Sequence, residues 1–407
     1  MRILVLNAGS SSQKSRLYEI EGTISDIAPA PLWQADADWS HHPGATDLKI
    51  TTSGGVKKEE SLPTDERAAV IERMLQSLWS GETRVIDQLT AIDIVGHRVV
   101  HGGIEFEDSV FVTPQVKATI RKLAVLAPEH NPANLEGIEA IERLAPAMPQ
   151  VAVFDTAFHR SMPDEVIVYP LPYGWYKKEG IRRFGFHGIS HCYCARRAAH
   201  ILGKDLSSLR LITCHLGNGC SLAAIRGGRS IDTSMGFTPL EGVTMGSRSG
   251  SIDPGILFYM QREKSYTSSQ LNTILNKASG LKGIAGSSDM RQVLQKMYEG
   301  DALSRLAFEI FTHRLRSSIG AMMASLGGLD ALVFAGGIGE NAAEVRTAAC
   351  KAFGFLGLEL DEQKNARSPA DADVAAVDSQ IRVLIVQTQE DWAIAQDCWK
   401  LARANHS

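Results

Sequence analysis

Residues 210–226 read RLITCHLGNGCSLAAIR. An apolar, β-branched run, Leu211 to Cys214, predicts a strand. Gly217-Asn218-Gly219 predicts a tight turn, and Ser221 to Ile225 predicts a strand with alternating texture. The N-terminus has the same grammar. RILVLN at residues 2–7 reads as a strand, Ala8-Gly9-Ser10-Ser11-Ser12 as a turn rich in hydroxyls and N–H donors, and Arg16 to Ile20 as a returning strand. Two strand–turn–strand units about two hundred residues apart predict two similar domains facing one ligand, although the identity between them is low. The length, 407 residues, also exceeds one ordinary core.

Downstream of the second unit the chain stays rich in glycine. His215 to Gly255 holds nine glycines in 41 residues, with few and scattered charges. Glycine this dense disfavours regular structure, so it is kept where backbone turns tightly or approaches a ligand. Arg248 stands alone there among Gly246, Ser247, Ser249 and Gly250. Turn amides form anion-binding concavities, and an arginine adds a planar fork of donors. The stretch is therefore a candidate phosphate or carboxylate site. The first turn differs from a GxxxxGK[ST] loop, because a strand rather than a helix follows Lys14. It either cradles a phosphate with its amides and Lys14 or is an ordinary surface hairpin.

Other segments fall into place around these. Asp47–Thr52 and Val56–Ser61 flank Ser53-Gly54-Gly55 and predict a hairpin. A helix follows, with Thr64 as its cap, Asp65 and Glu66 in its first turn, and Gly81 past its end. Its apolar positions are Val70, Ile71, Met74, Leu75 and Leu78. Ala91 to Val95 predicts a strand that delivers Gly96-His97-Arg98, where Arg98 suits an anion and His97 and His101 are structural. Helices are expected at 114–126 and 132–144. Val151 to Phe154 predicts a buried strand ending at Asp155, a position that faces a ligand crevice in open α/β sheets. His187, His191, Cys192 and Cys194 resemble a zinc set, but no further ligands follow at suitable spacing, so buried side chains on a helix are the expectation. Helices near 254–263 and 268–279 precede a long helix from 301 to 326, apolar on most faces and expected to be central. Ala331 to Phe334 is a strand, and Gly336-Gly337-Ile338-Gly339-Glu340-Asn341 opens a helix as nucleotide-binding turns do. After a strand at Val383–Val386, Glu390 begins the last helix, placed to meet its dipole or to bind a metal.

Bulk properties narrow the function. A net charge of −4 gives no case for nucleic acid or anionic membranes. No apolar run approaches a membrane span, and the N-terminal apolar core is too short for a signal peptide. Six scattered cysteines suit free thiols in a reducing cytoplasm.

The stretches LVLNAGSSS, GHRVVHGG, HNPANL, VFDTAFH, RRFGFHGISH, HLGNGCS, DTSMGFTPLEG, RSG, GLKGIAGSSDMR, AGGIGEN and TQEDWAIAQD together resemble the acetokinase family of the actin/hexokinase/Hsp70-type phosphotransferases. They run in family order along nearly the whole chain. The resemblance implies an α/β fold of two actin-like, ribonuclease H-like domains with βββαβαβα cores flanking a cleft. It places residues 1–150 plus 386–407 in an N-terminal domain and 151–385 in a C-terminal domain carrying the nucleotide and a homodimer interface. It implies reversible phosphoryl transfer from ATP to acetate, giving acetyl phosphate and ADP, with Mg²⁺ or Mn²⁺. By resemblance, Asp155, Arg98, Arg248 and His187 are catalytic, with His187 and Arg248 steadying the phosphoryl in flight. Arg98, Val100, Phe186 and Pro239 would bind the acid. Ser10, Ser12, Lys14, His215, Asn218 and Gly219 would line the phosphates, with His130 nearby. Asp289, Met290, Arg291, Gly337, Ile338, Gly339 and Asn341 would hold the nucleoside, and Asn7 and Glu390 the metal.

A carboxylic acid with a pKa of roughly 4–5 is already ionised at neutral pH, so no general base is required. Asp155 is therefore expected to orient an arginine or the metal. The sequence departs from the family pattern at Glu129, where a leucine is usual. A carboxylate there repels an anionic substrate unless it is turned away or paired. Ser251 replaces an aspartate, and Gln13 an apolar residue. The alternatives are a propionate or butyrate kinase, or a nucleotide-binding relative with weakened catalysis.

Overall fold

The computed structural model describes residues 1–9, 12–39 and 44–404. They form two compact units. The first comprises Met1–Phe158 and Gln389–Ser407, the second His159–Thr388.

The first unit is built on an eight-stranded sheet. Its strands are β1 (Arg2–Ala8), β2 (Ser12–Glu19), β3 (Trp33–Asp38), β4 (Thr46–Thr52), β5 (Lys57–Leu62), β6 (Ile94–Val99), β7 (Val110–Phe111) and β8 (Gln150–Phe154), in the order β5-β4-β3-β2-β1-β6-β8-β7. The β1–β2 hairpin is antiparallel, with Asn7 opposite Lys14. β6 and β8 add parallel to β1. Alternation along β1 separates its two faces. Leu4 and Leu6 join Leu17, Trp33, Leu48, Ile50 and Val95 in one core cluster, capped by Val70, Ile71, Met74 and Leu75 of the helix Arg67–Gln76. The helix Glu390–Ala404 packs on β1 and β6, with Trp392 edge-on to Tyr18 at 5.1 Å.

The second unit repeats this plan. β9 (Arg210–Leu216), β10 (Cys220–Arg226), β11 (Arg229–Thr233), β12 (Ala331–Ala335), β13 (Ala372–Asp373) and β14 (Arg382–Ile385) lie in the order β11-β10-β9-β12-β14-β13. Three antiparallel strands followed by two parallel ones, β3-β2-β1-β6-β8, recur as β11-β10-β9-β12-β14. The repeat expected from two strand–turn–strand stretches is thus a repeat of whole sheets.

Several expectations need correction. The helix expected from Thr64 begins at Arg67, because Thr64 Oγ1 accepts the Glu66 N–H at 3.1 Å in a separate turn. Leu78 lies beyond that helix but is still buried in its core cluster. The strand expected at Ala91–Val95 is Ile94–Val99, so Arg98 lies on it, and Leu89–Ala91 is a 3₁₀ turn. β3 escaped notice because its inward residues are Trp33, Ala35 and Ala37, a weak apolar signal. The domain boundary expected at 150 falls after Phe158, because β8 pairs with β6 and carries Asp155 into the first unit. The long helix Ala302–Leu326 buries one stripe, including Phe311, Leu315, Ile319 and Met322, but leaves Leu303 56% and Leu306 45% exposed. It is therefore not enclosed on all sides within this chain. No helix among the described residues is long and apolar enough to cross a membrane.

Candidate functional site

In the first unit, parallel pairing puts the ends of β6 and β8 side by side. Arg98 Nε and Nη2 donate to the two oxygens of Asp155 at 3.1 and 2.6 Å, a bidentate fork. Asp155 is 1% exposed. Burial by itself lowers the affinity of Arg98 for its proton, but Asp155, Glu390 and Asp391 more than reverse this, so the guanidinium is firmly charged. Both carboxylate oxygens of Asp155 therefore face a permanent cation.

Asn7, on β1, donates from Nδ2 to Asp391 Oδ1 at 2.7 Å and to Glu390 Oε2 at 3.5 Å. Sequence reasoning singled out Glu390, yet Asp391 is the nearer partner. Burial pushes the Asp391 carboxyl up, against the pull of Arg16, whose Nε lies 3.7 Å away. Two further asparagines were missed. Asn134 Oδ1 accepts the Val100 N–H at 3.1 Å, and Asn131 exchanges hydrogen bonds with the backbone of His101. They pin the GHRVVHGG segment to the first turn of the helix Asn131–Leu144. Val100 is 3% exposed. His130 immediately precedes that helix, and Glu129 beside it is exposed. His97 is structural as expected. Burial lowers it to about 4, and its Nε2 lies 2.7 Å from Gln150 Oε1. Ser12 O closes the first turn on the Gly9 N–H at 2.8 Å, and Lys14 is exposed. Ser10 lies outside the described residues.

In the second unit the turn between β9 and β10 is the focus. A Cβ on Gly219 would sit 3.4 Å from His187 Cε1, 3.5 Å from its Nε2 and 3.6 Å from Arg248 Nη1. His187 and Arg248 thus both converge on the backbone of that turn, at ordinary contact distance from the Gly219 Cβ position. Asn218 O accepts the Gly246 N–H at 3.0 Å and ties the turn to the arginine's loop. Arg248 Nη1 also donates to Pro239 O at 3.2 Å. His187 stands at the start of the helix Gly188–Leu202 with φ +56°, an uncommon conformation for a side-chain-bearing residue. Its ring stacks on His215 at 4.3 Å, and Phe186 next to it is buried.

His191 is no zinc ligand in this arrangement. Its Nδ1 meets Thr213 Oγ1 at 2.7 Å and its Nε2 meets Ser221 Oγ at 2.8 Å. Burial, with His159 and His215 nearby, holds it well below the usual range and so neutral. Cys194 is buried on the same helix, and Cys192 is half-buried.

The expected nucleoside residues divide. Gly337 and Asn341 are exposed and Ile338 is half-buried, whereas Gly339 is buried against Phe334. Asp289 caps the helix Met290–Tyr298 and forks with the exposed Arg291 at 2.6 Å. Met290, expected as a ligand, joins Val293, Leu294 and Met297 on the buried stripe of that helix. Arg346 was missed. It is fully buried and donates to the carbonyls of Gly339 and Glu340 at 2.8 and 2.9 Å, fixing the end of the glycine-rich turn.

Among the described residues no three His, Cys, Asp or Glu side chains form a metal cluster. The groups that meet the Asn7 amide are the oxygens of two carboxylates, Asp391 and Glu390. Such a set suits a hard cation that keeps most of its water and binds phosphate, as Mg²⁺ does, and does not suit zinc.

The chain matches the acetokinase family over residues 2–396. It is 59% identical to an acetate kinase of Gloeobacter violaceus over 406 residues, covering 99% of this chain and 100% of that protein. It superposes on the crystal structure of the Porphyromonas gingivalis acetate kinase with a TM-score of 0.89 at 39% identity, covering 98% of this chain and 99% of the other. A propionate kinase from Francisella tularensis gives the same TM-score, identity and coverage. The two units are thus the two actin-like domains of these kinases, and the chain belongs to the acetokinase family.

Proposed function

We propose that this kinase transfers the γ-phosphoryl group of ATP reversibly to acetate, giving acetyl phosphate and ADP. The observation that carries the reading is the convergence of His187 and Arg248 on the Gly219 backbone. Phosphoryl transfer needs charge neutralised around a group in flight more than it needs covalent chemistry. A fixed arginine and a fixed histidine supply that. Arg98, held by Asp155, binds the acid's carboxylate, and Val100, Phe186 and Pro239 offer its methyl group apolar surface. Asp155 has both oxygens on Arg98, so its work is orientation, and the ionised acid attacks without a base. His130, His215, Ser10, Ser12, Lys14, Asn218 and Gly219 serve the phosphates. Asp289, Arg291, Gly337, Ile338 and Asn341 serve the nucleoside, with Met290 and Gly339 supporting from within. Asn7 and Glu390, with Asp391, would hold Mg²⁺, which when bound neutralises phosphate charge.

The test is hydroxamate trapping of acyl phosphate made from ATP with acetate, propionate or butyrate, by the wild type and by Glu129→Leu. Acetate turnover in the wild type, little changed by Glu129→Leu, agrees with the exposure of Glu129. Absence of acyl phosphate from every acid would end the reading. Propionate is the second reading, because the propionate kinase is as similar in structure as the acetate kinase. A longer acid with a lower KM than acetate would favour it.

The working form is a cytoplasmic homodimer. No disulfide joins any of the six cysteines among the described residues, which supports a reducing compartment. The helix Gly255–Lys264 has no buried residue and exposes Ile256, Phe258 and Tyr259 at 50%, 66% and 50%. Apolar exposure on that scale marks an interface. Phe258→Asp is expected to convert the dimer to monomer in sedimentation velocity at micromolar protein. An unchanged sedimentation coefficient would place the interface elsewhere.

A further inference from the structure

We infer that Thr213, His191 and Ser221 form a buried hydrogen-bond chain that sets the tautomer of His187 and so makes its Nε2 a hydrogen-bond donor to the transferring phosphoryl group. The inference rests on the phosphotransferase reading given above for His187. It assigns three residues that touch no reacting atom, and they act as positioning residues.

The chain is continuous. Thr213 Oγ1 lies 2.7 Å from His191 Nδ1, His191 Nε2 lies 2.8 Å from Ser221 Oγ, and Ser221 Oγ lies 2.8 Å from His187 Nδ1. Thr213 and Ser221 come from neighbouring strands β9 and β10, and His191 sits one helical turn after His187. Thr213, His191 and Ser221 are 1%, 0% and 0% exposed.

Once His187 donates to a phosphoryl oxygen, proton counting allows the chain one polarity only. A phosphoryl oxygen is an acceptor, so His187 must present Nε2–H, and in the neutral ring Nδ1 is then an acceptor. The one hydroxyl proton of Ser221 goes to that Nδ1. Ser221 Oγ is left to accept from His191 Nε2–H. The Nδ1 of His191 is then an acceptor, satisfied by the hydroxyl proton of Thr213. Each proton is used once, and no group in the chain is left unpaired in this buried setting. The neutrality of His191 is what lets it carry the pattern through.

The same chain explains the tolerated φ of +56° at His187. A strained residue persists where its surroundings over-determine it. Ser221 on one side and the stacked His215 ring on the other do so here, and His215 Nδ1 is itself held 2.8 Å from Ser190 Oγ.

The test is a double-mutant cycle with the full-length enzyme. Ser221→Ala is expected to lower kcat about tenfold, the order of one buried hydrogen bond, with KM for ATP and for the acid changed less than about twofold. Thr213→Val, a near-isosteric change at the far end, is expected to lower kcat roughly threefold and keeps the test alive should Ser221→Ala fold poorly. In a His187→Ala background neither change should lower kcat further, because nothing remains to orient. Equal losses in both backgrounds would make the chain merely structural and overturn the inference. Independently of activity, ¹⁵N-histidine spectra should show His187 protonated at Nε2 and bare at Nδ1. A protonated Nδ1 would overturn the polarity even in a protein that makes acyl phosphate. A protein that makes none would sink the functional reading alone, leaving the tautomer to decide the chain.

Discussion

Asp155→Asn should lower kcat/KM for the acid about a thousandfold, in line with the roughly 3–5 kcal/mol that breaking a buried ion pair costs. The substitution keeps the shape and one acceptor. It replaces the other oxygen by an N–H, which then faces Arg98 Nε or Nη2, now 3.1 and 2.6 Å from the carboxylate oxygens. Asp155 is buried and Arg98 largely so, and water makes good little of the loss. Arg98 would keep its charge, since Glu390 and Asp391 also favour it, but it would be drawn toward them. That movement would disturb the Asn7 group too, where Asp391 takes the shorter bond. Arg98→Lys should cost less than Asp155→Asn but more than tenfold, because an ammonium keeps the charge and loses the fork. The measurement is initial-rate acyl-phosphate formation at neutral pH, with a urea melt to show that the variants are folded. The solvent isotope effect on the chemical step should be near one in the wild type, because the acid arrives ionised. A near-normal rate in folded Asp155→Asn, or a proton in flight in the wild-type chemical step, would refute the orienting role.

What the sequence disclosed, and what it hid, divides along the line between local and non-local interactions. Both strand–turn–strand stretches were legible, because alternation and turn glycines are local signals. Arg98 and Asp155 were legible as candidates from their places at strand ends. Their mutual fork was not, since it depends on β6 pairing with β8 across more than fifty residues. The same non-local pairing moved the domain boundary. Glu390 and Asp391 could not be ranked, because adjacent residues at a helix start point about 100° apart and only the docking of that helix on β1 decides which meets Asn7. His191 looked like a metal ligand because two histidines four apart share a helix face. The hydroxyls that occupy both its nitrogens come from strands 22 and 30 residues away. Met290 lies in a stretch that resembles the nucleotide motif, and the helix that puts it on a buried stripe with Val293, Leu294 and Met297 was not legible in the sequence. Gln13 is buried and satisfied by Ser15 Oγ and the Lys14 carbonyl, so its polar group is locally paired.

Gly280→Ala should destabilise the second unit by about 3–4 kcal/mol and cut activity about a hundredfold, although Gly280 touches neither substrate in the proposed reaction. The reason lies in how the loop around Arg248 is held. That loop has no regular structure, so its carbonyls need partners from elsewhere. The Leu281 and Lys282 N–H groups, at the start of the helix Gly280–Ala285, donate to the carbonyls of Met245 and Gly246 at 3.0 and 2.9 Å. Ser279 N–H donates to Ser247 O at 3.0 Å. Helix-start amides that would otherwise lack partners thus clamp the segment carrying the arginine. Gly280 sits in the middle of the clamp with φ +61°, where a Cβ would lie 2.2 Å from Met245 O and 2.6 Å from Arg248 O. Alanine would meet the left-handed penalty of roughly 1–2 kcal/mol and would also have to push those two carbonyls away, moving Arg248 with them. A displacement near 1 Å is enough for a rate loss on the order of a hundredfold. Gly286 provides the control. Its φ is +76°, but nothing lies within 4 Å of its Cβ position, so Gly286→Ala meets the conformational penalty alone. Gly280→Ala should therefore lower Tm by roughly 10 °C and Gly286→Ala by only about 2–4 °C, with activity lost in the first and kept in the second. If calorimetry and initial rates show the two variants to be alike, the clamp does not position Arg248, and the order of its loop must come from elsewhere.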